Sequence, residues 1–292
     1  MAQAIARTFA KNNYSVQLAA RNAERLTAFK TDMQLRHNAV CSLHNFDALQ
    51  FSTHAAFFDQ LNPKPDVTVC VFGVMEDEEL AFNNWEIAER MINSNYTGVV
   101  SILNVVAGYY QVQQRGCIAG ISSVAGERGR QSKLIYGSSK AALTAYLDGL
   151  RNKLFKDNVH VVTVKPGFVY TKMTETLKLP APLTAQPAEV GQAVYDAVQK
   201  KKNIVYVRWM WRWIMLIIKC IPEFQFKKMK LGKNALPFLI SMALLPRMTA
   251  CLNSSNFTKV ISGTFLDSPS MLFLLLPGRQ ALFPTRLPKN RY

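Results

Sequence analysis

The chain has 292 residues, 49% of them hydrophobic and 18% charged, a composition that argues against intrinsic disorder and is sufficient for one α/β domain with a sizeable core. The formal net charge of +16 favours an anionic partner surface, such as lipid headgroups, a phosphorylated substrate or nucleic acid. The five cysteines have no CxxC or Cys/His spacing, which argues against a disulfide framework and a metal site and favours the reducing cytoplasm. The first ten residues have a mixed helical pattern, so no signal peptide is expected.

The predicted elements alternate between short β-branched runs and longer helical patterns from residue 14 to about 207. Strands are predicted at 14–20, 39–46, 66–74, 116–122, 159–166 and 203–207, and helices near 22–36, 48–61, 83–110, 133–156 and 187–201. Near-continuous apolar strands joined by helices predict a doubly wound parallel sheet that is covered on both faces.

Residues 208–231 break this alternation with a basic segment rich in Trp and Ile. Its apolar stretch is shorter than the roughly 20 residues that a membrane-spanning helix needs. Trp residues and flanking lysines suit the surface of an anionic membrane, so we predict a membrane-interface segment. The alternative is a buried C-terminal helix or an oligomer contact. Residues 232–292 form an irregular tail of unknown role, with apolar runs at 236–246 and 271–277.

The segment ISSVAGERGRQSKLIYGSSKAA contains the candidate chemistry. Tyr136 and Lys140 are four residues apart at the start of a predicted helix, which places them on one face. A nearby ammonium lowers the pKa of a phenol and so helps it to exchange protons near neutral pH. Ser123 ends the preceding strand, where its hydroxyl is placed to hold a substrate carbonyl oxygen. Each residue alone is more typical of an ordinary helix surface; the joint pattern favours catalysis.

This segment resembles the short-chain dehydrogenase/reductase superfamily, and the resemblance extends over about residues 2–207. It implies a Rossmann-like fold and hydride transfer between a nicotinamide cofactor and a carbonyl or alcohol. Tyr136 would be the general acid in reduction and the general base in oxidation, and Ser123 would hydrogen-bond the carbonyl oxygen. Lys140 would tune Tyr136 and bind the nicotinamide ribose. Asn95, in INSNYTGVV, would hold a water that relays protons to Lys140.

The same resemblance assigns residues to the cofactor. Arg21 stands after the strand 14–20, where an acid would favour NAD, so NADP(H) is predicted with NAD(H) as the alternative. Arg21 also fits a simple solvated helix start. Asp47 matches the family residue beside the adenine, and Gly73 is the one glycine kept from the family's Asn-Asn-Ala-Gly run. The turn that cradles the nicotinamide corresponds here to Pro166, Gly167, Val169 and Thr171.

Three further features of the sequence concern the substrate and the binding partners. The catalytic segment looks most like the reductases that act on polyprenyl-phosphate keto-sugars, which predicts a lipid-linked or small carbonyl or alcohol substrate. Arg128, Arg130 and Lys133 lie between Ser123 and Tyr136, where they would hold a substrate phosphate unless they form a solvated basic loop. The acidic run Glu76, Asp77, Glu78 and Glu79 is interpreted as a solvated loop. No nucleic-acid platform accompanies the lysines at 200–202.

Family members open with a strand and a TGxxxGI-type loop, whereas this sequence begins within the first helix. The expected consequence is two unpaired strand edges, at 14–20 and 66–74, and few backbone donors for the pyrophosphate. We therefore expect a sequence that starts late or an impaired protein. The alternative is that a tail segment such as 271–277 fills the gap.

The predicted organisation is an N-terminally truncated catalytic domain at 1–207, a membrane-interface segment at 208–231 and the tail. The predicted function is that of an NADP(H)-dependent oxidoreductase, cytoplasmic and peripheral at the inner face of the membrane. Homo-oligomers would form through the helices near 83–110 and 133–156. The alternative is a non-catalytic, membrane-associated binding protein that keeps the fold.

Overall fold

A computed structural model describes residues 1–171, 174 and 179–229, together with the backbone of 272–276. In this part of the chain the helices are α1 (Ala2–Lys11), α2 (Thr27–His37), α3 (His54–Gln60), α4 (Glu78–Asn83), α5 (Trp85–Ile92), α6 (Gly98–Gln113), α7 (Leu134–Lys153), α8 (Pro187–Gln199), α9 (Met210–Cys220) and α10 (Glu223–Phe226). The strands are β1 (Val16–Ala20), β2 (Cys41–Asn45), β3 (Val67–Cys70), β4 (Gly116–Ile121), β5 (Val159–Pro166), β6 (Phe168–Val169), β7 (Thr184–Ala185), β8 (Ile204–Val207) and β9 (Leu272–Leu276). The predicted alternation of strands and helices up to residue 207 is confirmed, with boundaries that move by a few residues.

The main sheet has the strand order β2-β1-β9-β3-β4-β5-β8, and its neighbours are parallel except where β9 pairs. One core cluster contains Phe9 of α1 and Val190 of α8. A second contains Ile102 of α6 and Leu147 of α7. Alternate residues of the central strands enter the two clusters, so helices cover both faces of the sheet, as predicted. The residues that follow the parallel strands therefore meet at one edge.

The central position between β1 and β3 is held by β9, which runs antiparallel to both neighbours. Leu274 lies opposite Leu18 of β1 and Val69 of β3. The expectation of two unpaired strand edges is therefore wrong, and the alternative, a tail segment in the gap, is what the structure shows. An antiparallel strand satisfies the N–H and C=O groups of both neighbours as a parallel one would, so the sheet is mixed rather than wholly parallel. The apolar run 236–246 lies outside the described residues.

The long helix predicted before β4 is built from several pieces. Asp77 caps α4 and Asn84 caps α5, each accepting hydrogen bonds from two backbone N–H groups of the first turn. A π-helical segment, Asn93–Thr97, then joins α5 to α6. It carries Asn95, which is fully buried. Wide helical turns of this kind frequently lie at functional sites.

The described part of the segment 208–231 folds as α9 and α10. One face of α9 is buried: Trp211, Ile214, Met215 and Ile218 pack with Leu183 in a third apolar cluster. The alternative of a buried C-terminal helix thus holds for this face of α9. Among the helices of the described residues, none is long and apolar enough to cross a membrane.

Candidate active site

The carboxyl end of β4 and the first turns of α7 bring three of the predicted residues together. Ser123 follows β4, where its Oγ accepts a hydrogen bond of 3.1 Å from the Ala125 N–H. The phenol of Tyr136 lies within hydrogen-bonding reach of Ser123. Lys140, one turn later on α7, donates from Nζ to the carbonyl oxygen of Ile121 at 3.0 Å, and its Nζ lies 6.0 Å from the Tyr136 ring centroid. The spacing in the sequence thus corresponds to one cluster at the sheet edge.

Burial dominates the protonation of this cluster. It raises the pKa of Tyr136, and it outweighs the hydrogen bond from Ser123, which acts in the opposite direction. The sequence predicts a lowered phenol pKa beside an ammonium, and the structure gives the opposite direction. Burial lowers the pKa of Lys140 to about 8, because its ammonium is almost fully removed from water.

Asn95 and the backbone of Gly73 lie next to Lys140. The Asn95 side chain accepts from the Val74 N–H and donates to the Val74 carbonyl oxygen, both at 2.8 Å. A Cβ on Gly73 would lie 2.5 Å from Asn95 Oδ1 and 3.2 Å from Lys140 Nζ. Only glycine lets the backbone approach this closely. Both polar atoms of Asn95 therefore fix the loop after β3 against Lys140, and its water-holding role stays a prediction.

Glu78 is a site residue that the sequence analysis missed. Its carboxylate accepts hydrogen bonds from the backbone N–H groups of Ile135, at 2.9 Å, and Tyr136, at 3.2 Å. It therefore caps the amino end of the helix that carries Tyr136. Interpreting the acidic run as a solvated loop is wrong for this residue. No signal in the sequence indicates the contact, because its two sides are 57 and 58 residues apart.

The turn after β5 contains the residues that are predicted to contact the nicotinamide. Pro166 ends β5, and Val169 is buried in the short β6–β7 pair. The backbone N–H of Thr171 donates a hydrogen bond to Thr174 Oγ1 at 3.0 Å. A Cβ on Gly167 would collide with the indole of Trp211, so α9 packs directly against this turn. No local pattern in the sequence connects Trp211 with the site.

The residues predicted for the adenosine end lie at the same sheet edge. Ala20 of β1 is in register with Asn45 of β2, so Arg21 and Asp47 follow neighbouring strand ends. The Arg21 side chain is exposed, and the carboxylate of Asp47 accepts from the Leu49 N–H at 3.0 Å. These positions fit an adenosine phosphate, and the bare Gly73 with Lys140 fits a nicotinamide ribose.

Arg128 has a different role from the one the sequence predicts. Its guanidinium donates to the carbonyl oxygen of Ile221 at 2.7 Å and pairs with Glu223 at 3.0 Å. It also lies 3.7 Å above the ring centroid of Phe226. These contacts occupy the guanidinium at the carboxyl end of α9, so Arg128 does not fit a substrate-phosphate site. Arg130 and Lys133 make no such contacts with α9 in the described part of the chain.

The comparisons with known proteins agree with this geometry. The family model described as short chain dehydrogenase matches residues 1–181. An uncharacterized oxidoreductase of Mycobacterium tuberculosis is 30% identical over 215 residues, which are 73% of this chain and 86% of the relative. Carbonyl reductase family member 4 of Xenopus laevis is 28% identical over 199 residues, covering 66% of this chain and 84% of that protein.

Solved structures share the fold at low sequence identity. A short-chain dehydrogenase from Sphingobium yanoikuyae in complex with NADPH has a TM-score of 0.64 at 19% identity, covering 75% of this chain and 91% of that one. A gluconate 5-dehydrogenase from Burkholderia cenocepacia in complex with NADP and tartrate has a TM-score of 0.63 at 19% identity, covering 70% and 87%. With the family model and the Mycobacterium relative, these findings show that the chain belongs to the short-chain dehydrogenase family and is an oxidoreductase.

Proposed function

We propose that the protein interconverts a carbonyl and an alcohol with NADP(H) as cofactor. The observation that carries the proposal is the joint placement of the Tyr136 phenol, Ser123 and the buried Lys140 at the carboxyl edge of the sheet. The nicotinamide, when bound, supplies or accepts the hydride. Lys140 and the turn from Pro166 to Thr171 would hold that end of the cofactor, beside the bare backbone of Gly73.

The residues of the chain handle the proton. In reduction, the Ser123 hydroxyl donates a hydrogen bond to the carbonyl oxygen and so orients it toward Tyr136. As hydride reaches the carbonyl carbon, the proton on the Tyr136 oxygen moves to the developing alkoxide, which leaves an alcohol and a phenolate. The ammonium of Lys140 stabilises that phenolate and returns a proton to it. Oxidation is the reverse, with Tyr136 as base.

Arg21 supports NADP(H) over NAD(H). An exposed guanidinium after β1 is suited to a 2′-phosphate, and an acid at this point would instead bind the ribose hydroxyl. Two solved relatives of the same fold carry NADPH and NADP, which is in line with the proposal. The alternative of a non-catalytic binding protein is not favoured, since the relatives are named oxidoreductases and the catalytic side chains lie together.

We also propose that α9 rests on an anionic membrane surface. An outward stripe consists of Trp209, which immediately precedes the helix, and Trp213, Leu216 and Cys220 within it, all exposed and spaced by four, three and four residues. This spacing forms one helical face, opposite the buried one. Exposed basic residues border it: Arg212, Lys219, Lys227 and Lys228. An apolar stripe with cationic borders suits the headgroup region of an anionic bilayer.

The catalytic proposal is tested by Tyr136→Phe. Loss of a general acid is expected to lower kcat by about a hundredfold or more, with folding little changed because the ring stays. The measurement is NADPH-dependent reduction of a panel of ketones, with circular dichroism as the folding check. Tyr146→Phe is the matched control, since Tyr146 lies on the same helix and its hydroxyl bonds only Asn104 in the described residues. Near-normal turnover in Tyr136→Phe would refute the assignment.

A further inference from the structure

In the part of the chain that the structure describes, two cations near the candidate active site form no ion pair and no side-chain hydrogen bond. Arg130 and Lys133 lie on the segment that leads from Ser123 into α7. The Nε of Arg130 is buried and has no hydrogen-bond partner in the described part of the chain. Neither residue joins any ion pair found among the described residues. Their neighbour Arg128 is, by contrast, fully engaged at α9.

Two partly buried cations without a counter-charge reduce the stability of the folded protein. A cation that is withdrawn from water costs free energy unless an opposite charge or hydrogen bonds compensate. Burial lowers the pKa of Arg130 and the pKa of Lys133. The positive charge of Arg130 lowers the pKa of Lys133 further. The two cations therefore repel each other, and Glu78 offsets only Lys133. A ligand with negative charge would remove this cost.

Lys133 also lies near the residues that carry the candidate chemistry. A Cβ on Gly137, the residue after Tyr136, would lie 3.1 Å from the carbonyl oxygen of Ala125 and 3.7 Å from Lys133 Cβ. Ala125 itself hydrogen-bonds Ser123. Lys133 immediately precedes α7, so its Cβ and the loop that holds Ser123 both lie beside the helical turn that carries Tyr136.

We propose that Arg130 and Lys133 form a subsite for an anionic group of the substrate, and that this group is a phosphoryl group. The proposal rests on the proposed function, whose substrate class it narrows to carbonyl or alcohol compounds that carry phosphate. A guanidinium and an ammonium together provide the bidentate and point-charge contacts that phosphate oxygens accept. Of the three cations between Ser123 and Tyr136, only Arg128 is engaged in ion pairing among the described residues, which leaves Arg130 and Lys133 for a ligand.

A thermal-shift experiment tests the subsite without turnover. Inorganic phosphate, compared with chloride at equal ionic strength, is expected to raise the Tm of the wild type and to have a much smaller effect on Arg130→Met. Arg130→Met without phosphate is expected to be at least as stable as the wild type, because it removes an uncompensated charge. Arg130→Lys keeps the charge and is expected to keep most of the phosphate effect. The control is Arg115→Met, whose side chain is 59% exposed and precedes β4 at the other edge of the sheet.

A purely structural Arg130 would give the opposite pattern. Arg130→Met would then melt below the wild type, and the phosphate-induced shift would be the same in both proteins. That result would overturn the subsite. Equal phosphate effects in Arg115→Met and Arg130→Met would overturn it as well.

Kinetics then connect the subsite with the substrate. For a keto-sugar and its phosphate monoester, Arg130→Met is expected to lower kcat/KM for the phosphorylated compound by about tenfold or more and to leave the neutral one nearly unchanged. Parallel losses for both compounds would overturn the substrate assignment. If the wild type reduces neither compound although phosphate raises its Tm, the proposed function fails and the anion site stands.

Discussion

Glu78 has two effects on Tyr136 that are separable by substitution. Its carboxylate holds the backbone N–H groups of Ile135 and Tyr136, and its negative charge adds to the burial that raises the pKa of the phenol. Glutamine keeps an oxygen that accepts a hydrogen bond but loses the charge. The structure therefore allows position and electrostatics to be tested at one residue.

We predict that Glu78→Gln lowers the pKa of Tyr136. The charge of Glu78 favours the neutral phenol, so its removal lets the phenolate form at lower pH. In alcohol oxidation, where Tyr136 is the base, the rise of kcat with pH is expected to move to lower pH. Part of the cap remains, so the stability loss should stay near the roughly 1 kcal/mol typical of a helix cap.

The measurement is a pH profile of kcat for oxidation, with unfolding by urea as the stability check. Glu79→Gln is the matched control, because Glu79 is exposed on the same helix and its carboxylate is near only Asn83 among the described residues. Superimposable profiles of Glu78→Gln and the wild type would contradict the prediction, as would an equal displacement in Glu79→Gln.

The sequence predicts those site residues that lie close to one another along the chain. Tyr136 and Lys140 are one helical turn apart, and Ser123 is carried by the preceding strand end, so their proximity follows from the elements. Glu78 and Trp211 reach the site from distant parts of the chain, and no local pattern reports such packing. The roles of Arg128 and Arg130 could not be separated either, because only tertiary contacts distinguish them.

The helix α9 is fixed to the rest of the domain by its buried face. Its inner face is held to the catalytic domain by Trp211, which donates from Nε1 to the Leu183 carbonyl oxygen and covers Gly167. Glu127, nearly buried, binds Lys165 of β5 and Lys219 of α9. Burial raises the pKa of Glu127, but the hydrogen bonds from these two lysines and from the Tyr206 hydroxyl outweigh it and lower the pKa to about 2. These contacts join the proposed membrane-contacting stripe of α9 to the turn that is expected to hold the nicotinamide.

The sequence predicts the composition of this segment but not which side faces outward. A helix with apolar residues nearly all round has no clear inner face until its partners are known. The buried Trp211 and the exposed Trp213 are only two residues apart.

We predict that Trp209→Ser with Trp213→Ser reduces binding to anionic vesicles. These side chains are 72% and 52% exposed, so their replacement removes apolar contact with lipid and leaves the core intact. Flotation with vesicles of phosphatidylserine and phosphatidylcholine measures the effect. A matched double variant, Val112→Ser with Phe155→Ser, removes two side chains that are 79% and 81% exposed elsewhere on the surface. Equal flotation of the two double variants would exclude the stripe as the contact.

For the molecule as a whole, the doubly wound arrangement follows from the pattern of short apolar strands and longer helices. Each of these strands lies next in sequence to the helix that covers it, so local patterning predicts most of the sheet. The place of β9 could not be predicted in the same way. Its apolar run has no periodicity that indicates its direction or its neighbours, and residues 208–271 separate it from β8. Only the vacancy between β1 and β3, inferred from the family resemblance, indicated a position for it.

We predict that Leu274→Pro destabilises the whole sheet. Leu274 lies at the centre of β9, opposite Leu18 and Val69, and proline removes the backbone N–H that one neighbouring strand needs. An acceptor left unpaired inside the sheet costs about 1–3 kcal/mol, and distortion of the ladder on the other side adds to this. The measurements are the free energy of unfolding in urea and the hydrogen exchange of amides in β1 and β3. Leu274→Val, which keeps the N–H and suits a strand, is the control. If proline and valine give equal stability and equal protection of β1 and β3, residues 272–276 do not hold the centre of the sheet in solution, and another segment must pair with both strands.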